Sequence, residues 1–291
     1  MPRLRHALIA ALLALAAAGH VGPAVAEQQV DLELVLAVDV SLSMDLEEQR
    51  LQRDGYVAAF RDAEIHKAIQ SGPNGRIAVT YLEWAGAGIQ SVVLPWRVLA
   101  SPDDARAFAA ALADKPITRN LMTSVSAAIS VSADLFDQND ITGLRRVIDV
   151  SGDGPNNSGE PVEDARDAAG KAGIIINGLA IELAPGRGQY SYFDLADLSR
   201  YYGDCVITGP GAFVLTITKR EEFATAIRQK LLLEIAAAPS GRTRPLFDRV
   251  QLKPIQFRPI QFRPVQFRPA QHKYDCLIGE KMWQQYRNDD W

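Results

Sequence analysis

The chain has 291 residues, of which 47% are hydrophobic and 23% charged, and its net charge is −4. This is globular composition, which excludes a wholly disordered or fibrous protein and leaves room for one large domain or two small ones. Two cysteines cannot build a disulfide-dense scaffold or a four-thiolate zinc site, and four histidines argue against a His-rich metal centre.

The N-terminus reads as an export signal. Arg3 and Arg5 precede a short apolar run over 7–18, and Ala24-Val25-Ala26 is a small-x-small cleavage site. The run is too short to span a bilayer comfortably, so residues 1–26 are expected to be removed. No later segment is long and apolar enough for a membrane helix. The mature protein is therefore expected to be periplasmic or secreted, which argues against nucleic acid and nucleotide cofactors as partners. Its only remaining histidines are then His66 and His272.

Residues 30–38 (VDLELVLAV) read as a strand, alternating and then nearly continuous, as suits burial on both faces. Asp45 and Glu48 form a capping-box signature for a helix expected to run to about residue 70. A turn at 72–75 follows, then strands at 76–84 and 90–96 joined by Ala85-Gly-Ala-Gly88 as a hairpin. Ser101-Pro102 opens a helix through 112, and another is expected at 123–136 with Thr123 at its start. Strands at 145–150, 174–181 and 213–217 alternate with helices at 161–173 and 220–235. This order implies an α/β fold: a doubly wound, mostly parallel central sheet with one antiparallel edge strand and helices on both faces. Ligands of such sheets bind at the carboxyl ends of the strands, near the point where strand order reverses.

Charge divides the chain near Pro239. Residues 27–239 carry 30 acidic and 19 basic side chains, whereas 240–291 carry 10 basic and 5 acidic. The second part contains a five-residue repeat at 253–272 (KPIQF, RPIQF, RPVQF, RPAQH). A proline in every repeat blocks helix and central strand, so an extended, disordered tail is expected. A basic arm that docks on an acidic surface is the alternative. A buried, unpaired Cys205 is the simpler expectation, because Cys276 lies across that tail; a Cys205–Cys276 disulfide in an oxidising compartment is the alternative. The aromatic-rich stretch 190–202 reads as either interface anchors or a short helix covering the sheet.

Directly after the first strand stand Asp39, Ser41 and Ser43. A carboxylate and two hydroxyls form an oxygen-only set suited to a hard divalent cation, Mg²⁺ first, with Mn²⁺ or Ca²⁺ as alternatives. Asp39-Val-Ser-Leu-Ser43 after a hydrophobic strand resembles the metal-ion-dependent adhesion site of von Willebrand factor type A (vWA) domains. Leu121-Met-Thr123-Ser and Ile148-Asp-Val-Ser-Gly-Asp153-Gly154 are similar to the family's two further loops. The likeness covers roughly residues 30–235. The stretches 82–85, 149–157 and 209–213 resemble an exported bacterial vWA-like subfamily of unknown function.

The resemblance implies that Ser41, Ser43 and Thr123 ligate the metal through hydroxyls. Asp39 and Asp153 would act directly or through water, leaving a position open for a carboxylate from a protein partner. Without a cation, the same residues read as turn and cap residues. Gly152 stands where vWA domains often have Thr, and Asn156 and Asn157 are candidates to replace the lost hydroxyl as supporting residues. Asp149, inside a central strand, is either a further supporting residue or one half of a structural pair with Arg145 or Arg146. Asp45, Glu47 and Glu48 are expected to cap the helix rather than hold a second cation. His66 is expected to serve packing or surface.

The chain is not expected to be an enzyme. It lacks the second Asp of haloacid-dehalogenase-type phosphotransferases, a nucleophile elbow and a phosphate loop. Metal-assisted hydrolysis at Asp39 would need a general base, for which only Asp149 or Asp153 is at hand. The expected function is an exported module that captures an acidic partner group through a divalent metal. The alternative is a non-catalytic envelope scaffold with a structural or vestigial metal site.

Overall fold

The computed structural model describes residues 28–183, 195–237 and 273–289. The export signal and the five-residue repeat lie outside the described residues. Strand β1 (Gln28–Val30) pairs in parallel with the short β5 (Ile141–Gly143). The main sheet holds β2 (Leu32–Asp39), β3 (Ile77–Trp84), β4 (Gln90–Leu99), β6 (Arg146–Gly152), β7 (Ile175–Ile181) and β8 (Val214–Ile217). Its order is β4-β3-β2-β6-β7-β8, parallel throughout except for the β3/β4 hairpin at one edge.

Strand β2 shows how the sequence pattern builds the layers. All eight of its residues are buried. Leu32, Leu34, Leu36 and Val38 pack into one core with α1 (Leu46–Arg61), α2 (Ala63–Gln70), α3 (Pro102–Ala113) and α7 (Phe223–Ala236). Val35 and Ala37 pack into the other, with α4 (Val125–Leu135), α5 (Val162–Lys171) and the short α6 (Leu198–Tyr201). A period of two thus divides one strand between two helix layers. The chain leaves β2 toward β3 on one side and β6 on the other, so the carboxyl end of β2 is the point where strand order reverses.

Helix starts follow the expected caps at Asp45 and Ser101, both with complete capping boxes. Three expectations need correction. The first helix is two helices: Asp62 is extended, accepts from the Glu64 amide, and binds Arg228 of α7 at 2.9 Å. An Asp that caps locally and pairs across the layer outcompetes helix continuation. The cap of α4 is Ser124, whose side chain accepts from the Ala127 amide, so Thr123 precedes the cap. Finally, Cys205 is not unpaired. It is bonded to Cys276, and residues 278–289 form helix α8 (Ile278–Asp289), so this part of the tail is helical and anchored, not disordered.

Candidate metal site

The three loops of the sequence motif meet at the carboxyl ends of β2 and β6. Asp39 is the last residue of β2 and is wholly buried. One of its oxygens accepts from the Ser41 amide at 2.7 Å. Its Oδ2 is buried with no hydrogen-bond partner. The Ser41 and Ser43 hydroxyls lie 2.8 Å apart, and the Ser43 hydroxyl donates to Asp153 Oδ1 at 2.7 Å. The Ser41 and Ser43 hydroxyls and the Asp153 carboxylate therefore form one oxygen chain, which the Ser41 amide ties to Asp39.

Thr123 is brought in by backbone bonds. The Asn120 amide donates to the Val40 carbonyl at 2.9 Å, and Ser41 forms a parallel bridge with Asn120. Asn157 grips Thr123 from the other side: its Oδ1 accepts from the Thr123 amide at 2.9 Å, and its own amide donates to the Thr123 carbonyl at 2.8 Å. Met122, directly before Thr123, is held at φ +70°, a left-handed conformation that a non-glycine residue keeps only when its surroundings impose it. Buried Glu83 also steadies this loop. Arg53 binds one of its oxygens, and the Thr118 hydroxyl donates to the other at 2.9 Å.

Electrostatics mark the same place. Burial pushes the Asp39 carboxyl up to about 7, against the opposing hydrogen bonds from Ser41. Half-buried Asp153 is pushed well above the carboxylate range, first by lost hydration and then by repulsion from Asp39. The two carboxylates repel each other, and among the described residues no cationic side chain is bonded to either. A divalent cation would supply that charge, and an unpartnered Asp39 Oδ2 in a loop cluster that also carries the Ser41 and Ser43 hydroxyls suits a hard metal. Among the described residues no three His, Cys, Asp or Glu side chains gather as a metal cluster. Any cation here would have two carboxylates plus hydroxyls as its donors.

The supporting residues are arranged differently from expectation. Asn156 and Asn157 hold the Ser126 and Thr123 segments, not Asp39. The space beside Asp39 belongs to Tyr202: a Cβ added at Gly152 would stand 2.8 Å from both Asp39 Oδ2 and the Tyr202 hydroxyl. Tyr202 begins a π-helical turn (Tyr202–Val206) after α6, and its hydroxyl is buried without a partner. Sequence reasoning missed it as a site residue. Its signal was the missing side chain at Gly152. Tyr201 and Tyr202 are wholly buried and cover the sheet; Tyr190, Tyr192 and Phe193 lie outside the described residues.

Asp149 does not join the loops, and neither Arg145 nor Arg146 is its partner. Its side chain faces α7, where Lys230 Nζ lies 2.7 Å from Oδ1, and the Tyr56 hydroxyl donates to Oδ2 at 3.4 Å. Arg145 instead donates to the Glu234 carbonyl, and Arg146 pairs with Asp137 and Glu33. Asp45, Glu47 and Glu48 cap α1 and pair with Arg220. His66 is buried against the Phe60 carbonyl, far from the loops in chain order.

The family model described as "Protein of unknown function (DUF1194)" matches residues 29–239. The chain belongs to the DUF1194 family. No curated protein matches it. Its fold is of the vWA type, as solved structures show. Proximal thread matrix protein 1 from the mussel byssus, described with a zinc-occupied MIDAS motif, is 17% identical with a TM-score of 0.52. That match covers 72% of this chain and 49% of the mussel chain. The pilus adhesin SpaC of Lactobacillus rhamnosus GG is 14% identical with a TM-score of 0.52, over 72% of this chain and 31% of its own. A von Willebrand factor type A protein from Catenulispora acidiphila is 15% identical with a TM-score of 0.50, over 71% and 43%. This DUF1194 chain thus spans half the length of these structures or less, and at such identities the likeness is one of fold.

Proposed function

We propose that this protein is an exported binding module whose loops hold a divalent cation through Asp39, Ser41, Ser43, Thr123 and Asp153. The bound cation captures a carboxylate of a protein partner. The observation that carries this reading is the unpartnered, buried Asp39 Oδ2 at the head of the Ser41–Ser43–Asp153 oxygen chain. A bound cation supplies Lewis acidity toward an incoming anion. Ser41 and Ser43 contribute neutral oxygens, Asp39 and Asp153 balance its charge, and Asn157 fixes the Thr123 segment. Mg²⁺ is the first candidate, with Mn²⁺ and Ca²⁺ as alternatives, and the mussel protein's zinc adds that ion to the panel.

Export is part of the same proposal. The Cys205–Cys276 disulfide suits an oxidising compartment such as the periplasm or the exterior. Among the described residues no helix is long and apolar enough to cross a membrane. Among the described residues no His, Lys or Cys is bonded to the oxygen chain to act as a nucleophile or base, which favours binding over hydrolysis.

Thermal unfolding with each cation tests the site. At a hundredfold excess over the dissociation constant, binding adds about 2.7 kcal/mol and raises the midpoint by roughly 5–10 °C. Asp39→Ala is expected to abolish that rise. No rise with any of the four cations would refute the cation reading. Paired synthetic peptides differing by one Glu-to-Gln change test the carboxylate: the Glu form should bind only with cation present. A cation that stabilises the protein while no carboxylate peptide binds would favour the scaffold.

A further inference from the structure

Residues 273–289 lie beyond the family-matched region of 29–239, yet they are built into it. Cys276 is buried and bonded to Cys205 in the π-helical turn, 71 residues earlier. On the approach to the bridge, Lys273 pairs with Glu163 of α5, and the Tyr274 amide donates to Asp204 at 3.1 Å. The Tyr274 ring meets Tyr201 edge-on at 6.0 Å, and the Arg200 guanidinium lies over it at 5.4 Å. The first turn of α8 then reaches the loop that follows Asp153. Gly279 sits so close to it that an added Cβ would be 2.0 Å from the Asn156 carbonyl oxygen. Glu280 Oε1 accepts from Asn156 Nδ2 at 2.7 Å.

Asn156 is the branch point between this segment and the cation loops. Its Oδ1 accepts from the Ser126 amide at 3.0 Å and the Ser126 hydroxyl at 3.1 Å. Its Nδ2 donates to the Glu160 carbonyl at 3.0 Å and to Glu280. Its backbone amide donates to the hydroxyl of Tyr201, the ring Tyr274 meets edge-on. Both donors and both acceptor positions of the side chain are therefore engaged. A carboxylate can only accept, and a backbone amide can only donate. Glu280 on one side and the Ser126 amide on the other thus fix which end of the Asn156 amide faces which. The adjoining Asn157 grips Thr123.

We propose that residues 273–289 form a disulfide-anchored strap, and that Glu280, through Asn156, is a positioning residue for the Thr123 arm of the cation site. The functional consequence rests on the cation reading above; the positioning itself does not. Removing the Glu280 acceptor leaves one Nδ2 hydrogen unpaired and the Asn156 side chain held by the Glu160 carbonyl and Ser126 alone, which weakens its hold on Ser126 and loosens the turn that carries Thr123.

The test uses the full chain as wild type, Glu280→Ala, Glu280→Gln and the Cys205→Ser/Cys276→Ser pair. Hydrogen exchange at the Thr123 and Ser126 amides is measured without added metal, and Mn²⁺ affinity by calorimetry. E280A and the cysteine pair are expected to speed exchange at both amides and to weaken Mn²⁺ binding by about tenfold. E280Q, whose side-chain oxygen still accepts, is expected to remain close to wild type. E280A that matches wild type in both readouts overturns the proposal, and so does E280Q that behaves as E280A. If the cysteine pair fails to fold, the two Glu280 variants decide. A wild type that binds no Mn²⁺ refutes the cation reading alone, and the exchange rates still judge the strap.

Discussion

Loss of Lys230 should be costly. Its ammonium is wholly buried between Asp149, 2.7 Å away, and Glu234, and both carboxyls are buried as well. Two acids already share one base. Burial, and then repulsion from Asp149, raise Glu234 to about 7 despite the Lys230 pair and a bond from Asn177. Lys230→Met keeps the length of the side chain and removes the charge, stranding both carboxyls. Breaking a buried pair in this way costs about 3–5 kcal/mol. The sign of the pH dependence follows from linkage. A carboxyl raised in the folded state is favoured when protonated, so its contribution is largest below its unfolded value and is lost as pH rises through the folded one. Asp149 is already raised by burial against the opposing Lys230 charge, and loss of that charge raises it further, so the variant's deficit is larger near pH 8 than near pH 5. Urea unfolding with chelator present, followed by fluorescence of buried Trp84, reads this directly. Adding Asp149→Asn and Glu234→Gln to Lys230→Met should restore stability at the higher pH. A deficit below about 1 kcal/mol, or one equal at both pH values, would refute the argument that these charges are desolvated.

Two further predictions follow from packing. Replacing both Cys205 and Cys276 by Ser should cost about 4 kcal/mol on chain entropy for a 71-residue loop, measured by denaturant unfolding under oxidising conditions. Thiol labelling of unfolded wild type should find no free cysteine, and labelling at both positions would refute the bridge. Gly152→Ala should destabilise by about 1–3 kcal/mol, because the new methyl meets Asp39 and Tyr202 at 2.8 Å. Adding Tyr202→Phe should recover part of that loss in the same unfolding assay. Full stability of Gly152→Ala alone would show that the two oxygens do not crowd this position.

Much of the fold was legible because it is written at short range. The period-two pattern of β2, the caps at Asp45 and Ser101, and the glycine-rich turn between β3 and β4 each act within a few residues. That the loop ends converge was legible for a related reason. In a doubly wound sheet the loops that follow central strands must meet, so finding Asp39 after β2 and Asp153 after β6 was enough to place them together. Asn156 and Asn157 were expected to replace the hydroxyl missing at Gly152, but their bonds go to the Ser126 and Thr123 segments.

The local pattern failed where two layers compete for one side chain. Asp62 broke an apparently continuous helix because it could cap α2 and hold Arg228 at once. Nothing near Asp149 in the chain announced Lys230, and the packing that follows α6 brings the Tyr202 hydroxyl to the same Gly152 position as Asp39. Cys276 looked remote from Cys205 because the repeat between them carries no folding signal, yet the segment beyond it packs beside the site. The sequence by itself thus determined the elements, their order and the oxygen-rich loop ends, since hydrophobic period, capping and strand order depend on near neighbours. Only the tertiary structure decided which buried charges pair, which hydroxyl lies beside Asp39, and where the chain returns to clasp the site. Those outcomes depend on which surfaces lose water together when the helix layers close on the sheet.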